Sequence, residues 1–167
     1  MELYADGPTL EEIDELNVDG YTFNPSLYKK LGASNYIDFS KKIANKIKNK
    51  SVSVEVIGDD EDECIRQGRI ISKIAENISV KIPITFTNGS STKNLISELV
   101  KQEIKLNITA IFTLDQIKEI IEVVKDSNSI LSIFSGRIYD IGLNAEEKFT
   151  EMSDFIHNNS SCKSLWA

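Results

Sequence analysis

Apolar runs of strand length alternate with segments of helical period from one end of this 167-residue chain to the other. This alternation is typical of parallel βα units, in which helices cover a parallel sheet. The apolar runs predict about seven strands, at residues 2–5, 20–22, 52–57, 78–83, 106–111, 130–134 and 164–167. Apolar residues spaced three and four apart predict helices at residues 10–16, 36–49, 60–76, 91–101, 114–125 and 146–158.

The connections between these elements are short, and no linker or low-complexity stretch interrupts them. Seven βα units fit either an open doubly wound sheet or a (β/α)8 barrel that stops early. No G-x-G-x-x-G follows the first strand and no G-x-x-x-x-G-K-S/T occurs, so the glycine signatures of nucleotide-binding sheets are absent. We therefore predict the barrel, in which polar residues at the carboxyl ends of the strands converge on one face.

Composition limits the domain count and the kinds of partner. With 41% hydrophobic residues the chain can form one substantial core, so we predict a single domain over residues 1–167. The net charge of -7 comes without a basic cluster, which argues against nucleic acid or an anionic membrane as a partner. No signal peptide or long apolar span precedes the body, so we expect a cytoplasmic protein.

We expect neither a metal ion nor a cofactor. Cys64 and Cys162 do not have the spacing of zinc ligands or of a disulfide framework. The acidic run at residues 59–63 lies at the start of a predicted helix, where the helix dipole favours negative charge.

Lys81 lies within residues 77–85, an otherwise nearly uncharged run of β-forming residues. Burial disfavours the ammonium ion and favours the neutral amine that attacks a carbonyl carbon, so Schiff-base chemistry is the first hypothesis. The alternative is a lysine at a strand end whose flexible stem carries its charge into water. The segment alone does not decide between the two.

Further polar residues lie in or directly after the strands, and side chains two positions apart share a face. The candidates are Asp6, Asn24, Glu55, Lys81, Asn107, Thr109 and Ser132, followed by Phe134, Arg137 and Asp140. The structural alternatives are a helix cap for Asp6, a buried ion pair for Glu55 and Lys81, satisfied core groups for Asn107 and Thr109, and a surface ion pair for Arg137 and Asp140. Taken together, the candidates indicate one cleft.

Six short motifs follow one another along the chain: Leu3-Tyr4-Ala5-Asp6, Thr22-Phe23-Asn24-Pro25-Ser26, Val54-Glu55-Val56, Val80-Lys81-Ile82-Pro83, Asn107-Ile108-Thr109 and Ser132-Ile133-Phe134-Ser135-Gly136-Arg137. In this order they resemble the transaldolase family, particularly its small subfamily that includes the fructose-6-phosphate aldolases. The resemblance covers essentially the whole chain. Lysine on the fourth strand is distinctive, because other barrel Schiff-base aldolases usually carry theirs on the sixth.

The resemblance implies a transaldolase-type (β/α)8 barrel acting on a sugar phosphate. Lys81 would form an imine with a ketose carbonyl, and Asp6 would take the proton of the C4 hydroxyl. Glu55, through a water held by Thr109, would move protons as the imine forms. The implied substrate contacts are Asn24, Asn107 and Ser132 for the dihydroxyacetone hydroxyls and Arg137 for the phosphate.

Two residues bear on the type of reaction. Fructose-6-phosphate aldolases typically have glutamine at the position of Glu55 and tyrosine at the position of Phe134. This chain has the transaldolase residue at both positions, which favours a transferase over a lyase that releases dihydroxyacetone. The lyase remains the alternative.

The chain departs from the family pattern at its end and near its start. It stops within the predicted seventh strand, whereas the family continues with an eighth unit and with a Ser and an Arg that complete the phosphate site. Arg137 alone would hold a phosphate weakly, and two strand edges would lack partners. We therefore expect that the sequence is a fragment or an incomplete record. A third hypothesis, besides the transferase and the lyase, is a non-catalytic sugar-phosphate-binding remnant. Phe23, where threonine is usual, and Gly7-Pro8 indicate an outlying subgroup, and a homo-oligomer is possible because small members often form rings.

Overall fold

The computed structural model describes residues 2–167. Seven strands form one parallel sheet, and each strand pairs with the strand that precedes it along the chain. The strands are β1 (Tyr4–Asp6), β2 (Gly20–Phe23), β3 (Ser51–Glu55), β4 (Ile78–Pro83), β5 (Leu106–Ile111), β6 (Ile130–Ile133) and β7 (Lys163–Trp166). The helices are α1 (Glu12–Glu15), α2 (Pro25–Lys30), α3 (Tyr36–Lys46), α4 (Glu61–Ser72), α5 (Lys93–Lys101), α6 (Leu114–Val124), α7 (Ser135–Asp140) and α8 (Ala145–Asn159).

The sheet is curled, so that its two outer strands approach each other. Lys163 on β7 and Glu2, which precedes β1, form an ion pair with Nζ and Oε1 2.6 Å apart, although they are 161 positions apart in sequence. Within residues 2–167 no strand lies between β1 and β7. The chain therefore forms a (β/α)8-type barrel with seven of its strands, and the predicted fold class is confirmed. We call the gap between β1 and β7 the seam.

The sheet is stabilised by the packing of buried helix faces against its strands. The central strands are covered on both faces; five of the six residues of β4 are buried, and these include the polar Ser79 and Lys81. In α6 the buried residues recur at three and four spacing, as Ile117, Ile120, Ile121 and Val124. Its start is fixed by a capping box between Thr113 and Gln116. Among the helices of residues 2–167, none has both the length and the apolar character needed to cross a bilayer.

Most predicted elements occur, with shifted ends. The predicted bounds of β4 and β5 are those observed, whereas β1 begins at Tyr4 rather than at residue 2. The predicted helices at 36–49 and 60–76 end earlier, at Lys46 and Ser72. The sequence pattern does not predict α2 and α7, which have only six residues each. They begin directly after Asn24 and Phe134, two of the candidate site residues. Thr9 and Glu12 hydrogen-bond in both directions near the start of α1, each side chain accepting from the other residue's backbone N–H, which is the pattern of a capping box.

Candidate active site

Lys81 and Glu55 face each other on neighbouring strands. They are direct register partners on β4 and β3, and Lys81 Nζ lies 3.7 Å from Glu55 Oε2. Only 8% of Lys81 is exposed. The lysine therefore does not extend its charge into water as one interpretation of the sequence supposed. Its amine faces the Glu55 carboxyl group inside the barrel.

The environment of Glu55 shifts the pKa of its carboxyl group upward. Burial raises the pKa of the Glu55 carboxyl above its ordinary value, the Lys81 ammonium opposes that shift, and the charge of Asp6 adds to it. Tyr36 on α3 donates a hydrogen bond to the backbone carbonyl of Glu55 and so ties the end of β3 to a helix. Burial also raises the pKa of Tyr36. The side chain of Glu55 thus stands on a fixed strand end and can hold or release a proton.

A chain of hydrogen bonds crosses the barrel interior beside Lys81. Ser132 Oγ on β6 donates to Asn107 Oδ1 on β5 at 2.7 Å, and Asn107 Nδ2 donates to Ser53 Oγ on β3 at 2.9 Å. All three residues are buried. Asn107 is the register partner of Lys81, so its amide lies next to the lysine stem. Two predicted site residues, Asn107 and Ser132, are in direct contact here, together with Ser53, which the sequence pattern does not single out.

Thr109 lies at an irregularity of β5. The strand register shifts between Ile108 and Ile111, and Ala110 has a φ of 59°. Such a bulge inserts one residue and re-aims the side chains beside it. The buried Thr109 Oγ1 has no hydrogen-bond partner among the described residues. An unpaired buried hydroxyl is costly, so this atom is suited to binding a water or a ligand.

Asp6 lies at the carboxyl end of β1, on an exposed position. Thr22, its register partner on β2, donates a hydrogen bond of 2.6 Å to Asp6 Oδ1. The helix-cap alternative is not observed for Asp6, because the capping hydrogen bonds near the start of α1 come from Thr9. The hydrogen bond from Thr22 therefore orients the Asp6 carboxyl group at the same end of the sheet as Glu55.

The remaining predicted residues follow β2 and β6. Asn24 caps α2, with Oδ1 accepting from the Leu27 N–H at 2.9 Å, so its amide nitrogen is the part left for a ligand. Phe134 precedes α7, and its ring packs edge-on against Phe112 with centroids 5.6 Å apart. Arg137 is exposed on α7 and pairs with Asp140 at 3.2 Å. The structure thus does not join Arg137 to Lys81 and Glu55 by any described hydrogen bond.

A cavity of about 560 Å³ opens beside Glu55, between the loops that follow β3 and β4. Its walls are mainly apolar and include Ile82, Pro83 and Phe86. Asp59 on one loop accepts hydrogen bonds from the backbone and the hydroxyl of Thr87 on the other, which ties the two loops together. Lys81 does not line this cavity.

Comparison with known proteins identifies the family. The sequence model of the family described as Transaldolase/Fructose-6-phosphate aldolase matches residues 3–166. The chain belongs to this family. The resemblance inferred from the six motifs is thereby confirmed.

Transaldolase-family relatives match over most of this chain. A probable transaldolase of Bartonella henselae is 32% identical over 165 residues, which are 96% of this chain and 72% of that protein. A probable transaldolase of Brucella ovis is 33% identical over 162 residues, 95% of this chain and 70% of that protein. A third, from Methanococcus maripaludis, is 38% identical over 146 residues, 85% of this chain and 64% of that protein.

Solved structures agree on the fold. A dihydrodipicolinate synthase from Rhodopseudomonas palustris superposes with a TM-score of 0.62 at 13% identity, over 98% of this chain and 62% of the synthase. At that identity the likeness concerns the fold alone. The chain therefore combines a barrel fold with a transaldolase-family sequence.

Proposed function

We propose that the chain is a transaldolase-type transferase that moves a dihydroxyacetone unit from a ketose phosphate to an aldehyde acceptor through a Lys81 Schiff base. The observation that carries this proposal is the buried Lys81 amine 3.7 Å from the Glu55 carboxylate. A lysine at such a position is a nucleophile with a proton-transfer partner beside it. The proposal concerns the whole protein, and this chain spans 72% of its Bartonella henselae relative.

The first step joins the amine to the substrate. The neutral Lys81 Nζ attacks the C2 carbonyl carbon of the ketose, and the carbonyl oxygen gains a proton to give a carbinolamine. Loss of that hydroxyl as water leaves a protonated imine. Glu55 has a raised pKa and is suited to give and take these protons, with a water bound to the free hydroxyl of Thr109 as the carrier.

The second step breaks the C3–C4 bond. Asp6 takes the proton of the C4 hydroxyl, C4 becomes an aldehyde carbon, and the electron pair of the broken bond moves into the imine to give an enamine. Thr22 holds one Asp6 oxygen, which leaves the other for the substrate. An acceptor aldehyde then adds to the enamine by the reverse of this step, and hydrolysis of the imine frees Lys81.

Substrate binding divides between two regions. Asn107, Ser132 and the free amide nitrogen of Asn24 bind the hydroxyls of the three-carbon unit. Arg137 breaks its ion pair with Asp140 and binds the phosphate instead. A guanidinium pairs with phosphate through two parallel hydrogen bonds.

Covalent trapping tests the proposal. We expect fructose 6-phosphate with borohydride to add one reduced dihydroxyacetone adduct, found on Lys81 by mass spectrometry of peptides. Lys81→Arg should abolish the adduct, while Lys105→Arg, which changes an exposed lysine that precedes the next strand, should leave it unchanged. Full activity in a folded Lys81→Arg variant would overturn the proposal.

The products separate a transferase from a lyase. With fructose 6-phosphate alone, a transferase holds the dihydroxyacetone unit as the enamine and releases glyceraldehyde 3-phosphate only once per site. Addition of a four-carbon aldose phosphate should start turnover. Continuous release of dihydroxyacetone without an acceptor would favour the lyase.

A further inference from the structure

Ser53 is a fully buried serine on β3 whose hydroxyl forms a hydrogen bond with Asn107, a residue of the proposed site. It precedes Glu55 by two positions and has no exposed surface. Its Oγ accepts the hydrogen bond from Asn107 Nδ2 at 2.9 Å. Because β4 separates β3 from β5, this bond passes over the inner face of β4, the strand that carries Lys81. Ser53 thus contacts the amide that lies beside the lysine stem.

The Asn107 amide is held at both ends. Ser132 donates to its oxygen and Ser53 accepts from its nitrogen, and these are its only described side-chain hydrogen bonds. A carboxamide nitrogen carries two N–H groups, so one N–H remains for a ligand. With both ends fixed, the plane of the amide cannot turn, and the free N–H keeps one direction.

We propose that Ser53 is a positioning residue that orients the Asn107 amide toward a hydroxyl of the ketone donor, and that it thereby makes the site prefer hydroxylated ketones. The inference rests on the proposed function, because Asn107 must contact the donor for its orientation to matter. Ser53 itself does not touch the donor. Without its hydroxyl, the amide nitrogen loses its partner in a buried site and the amide turns to find another.

Donors with and without hydroxyls distinguish orientation from a general loss of structure. Dihydroxyacetone needs the Asn107 contact, whereas acetone has no hydroxyl to be bound. We expect Ser53→Ala to slow cyanoborohydride trapping of dihydroxyacetone on Lys81 by roughly tenfold, the loss typical of one buried hydrogen bond. Trapping of acetone should slow by less than about twofold, so that the ratio of the two rates changes.

Ser79 provides a matched control. It is the register partner of Ser53 on β4, is also buried, and makes no side-chain hydrogen bond among residues 2–167. Ser79→Ala should leave the ratio of rates at the wild-type value. Ser53→Cys puts a thiol in place of the hydroxyl, so it leaves no cavity but accepts hydrogen bonds poorly, and it should change the ratio as Ser53→Ala does. The cysteine variant keeps the test available if the alanine variant does not fold.

The outcomes separate this inference from the proposed function. If the wild-type chain traps both donors and the Ser53 variants slow them equally, Ser53 is only structural and the inference fails alone. If the wild-type chain traps neither donor on Lys81, the inference fails together with the proposed function. A changed ratio in both Ser53 variants, with Ser79→Ala unchanged, supports the inference.

Discussion

Lys81 and Glu55 tolerate burial because they occupy the same register position on adjacent strands. A single buried charge is costly, and its loss of hydration is repaid only by a well-placed partner. The balance is still unfavourable to the Glu55 carboxylate, since burial outweighs the attraction of Lys81 and raises its pKa. Stability is therefore expected to depend on pH through this residue.

Glu55→Gln should remove a pH-dependent contribution to the free energy of unfolding. Because the folded-state pKa of Glu55 is raised, the folded protein keeps a proton that the unfolded chain releases above about pH 4.5. The stabilisation by that proton is complete below the unfolded pKa and is lost as pH rises through the folded pKa. Urea unfolding across this range should give a wild-type curve that falls with pH relative to the Glu55→Gln curve.

Glu63 offers a control of opposite sign. Hydrogen bonds from Arg66 and Gln67 lower the pKa of the Glu63 carboxyl to about 2. Its contribution is present above the unfolded pKa and is lost as pH falls through the folded pKa. Glu63→Gln should therefore differ from the wild type by an amount that grows with pH between these values. Parallel curves for wild type and Glu55→Gln would contradict the interpretation of Glu55.

Among the elements, β4 and β5 have the bounds that the sequence predicts, because each is a run rich in Ile, Val and Leu and Pro83 ends one of them. The helices α2 and α7 were not predictable in this way. Six residues make fewer than two turns, which is too short for an apolar repeat to be recognised. Both helices begin within motifs that we interpret as ligand contacts. The same residues therefore serve both as helix starts and as candidate site residues.

The site was predictable as far as charged and amide side chains interrupt apolar strands. Lys81, Glu55 and Asn107 stand out for that reason. Ser53 and Tyr36 do not, because serine is small enough to fit a buried strand and tyrosine is common on a helix face. Their bonds join residues 54 and 19 positions apart, which the sequence pattern alone does not indicate.

The bulge in β5 was also invisible in the sequence, since residues 106–111 contain no glycine. Ala110 adopts a left-handed backbone conformation, with φ at 59°, that costs a residue with a Cβ atom about 1 kcal/mol. Ala110→Gly should change the free energy of unfolding by less than about 1 kcal/mol, since strain relief offsets the greater entropy of the unfolded chain. Ala110→Val should lower it by about 2 kcal/mol, because a β-branched side chain is poorly tolerated there.

Denaturant unfolding of both variants measures these changes. Ile108→Val, on the same strand before the bulge, provides a control for side-chain size and is expected to cost about 1 kcal/mol. Equal stability of Ala110→Val and Ala110→Gly would show that the bulge stores no strain at Ala110.

At the scale of the molecule, the seam leaves the outer edges of β1 and β7 without a strand partner within residues 2–167. Side chains at these edges are partly exposed, among them Tyr4, Leu165 and Trp166. One ion pair, between Glu2 and Lys163, spans the seam. An exposed pair of this kind contributes little to stability, so it does little to hold the two edges together.

A strand and helix appended after Ala167 should close the seam. The new strand would pair with β7 and β1 and bury their edges, so the urea midpoint and the urea m-value should both rise. An appended segment of the same composition in scrambled order should change neither. An unchanged m-value with the designed segment would show that the seam does not accept a strand.

The order of the strands also has a consequence for synthesis. Each strand after β1 pairs with the strand that left the ribosome directly before it. A folded sheet edge is therefore already present when each new strand emerges. Within residues 2–167 every strand pairing joins strands that are consecutive along the chain, which keeps the loop-closure entropy small at each addition. The strands that carry the candidate site residues thus join the sheet in chain order. Before β7 is synthesised, the nascent chain already contains Asp6, Glu55, Lys81, Asn107 and Ser132.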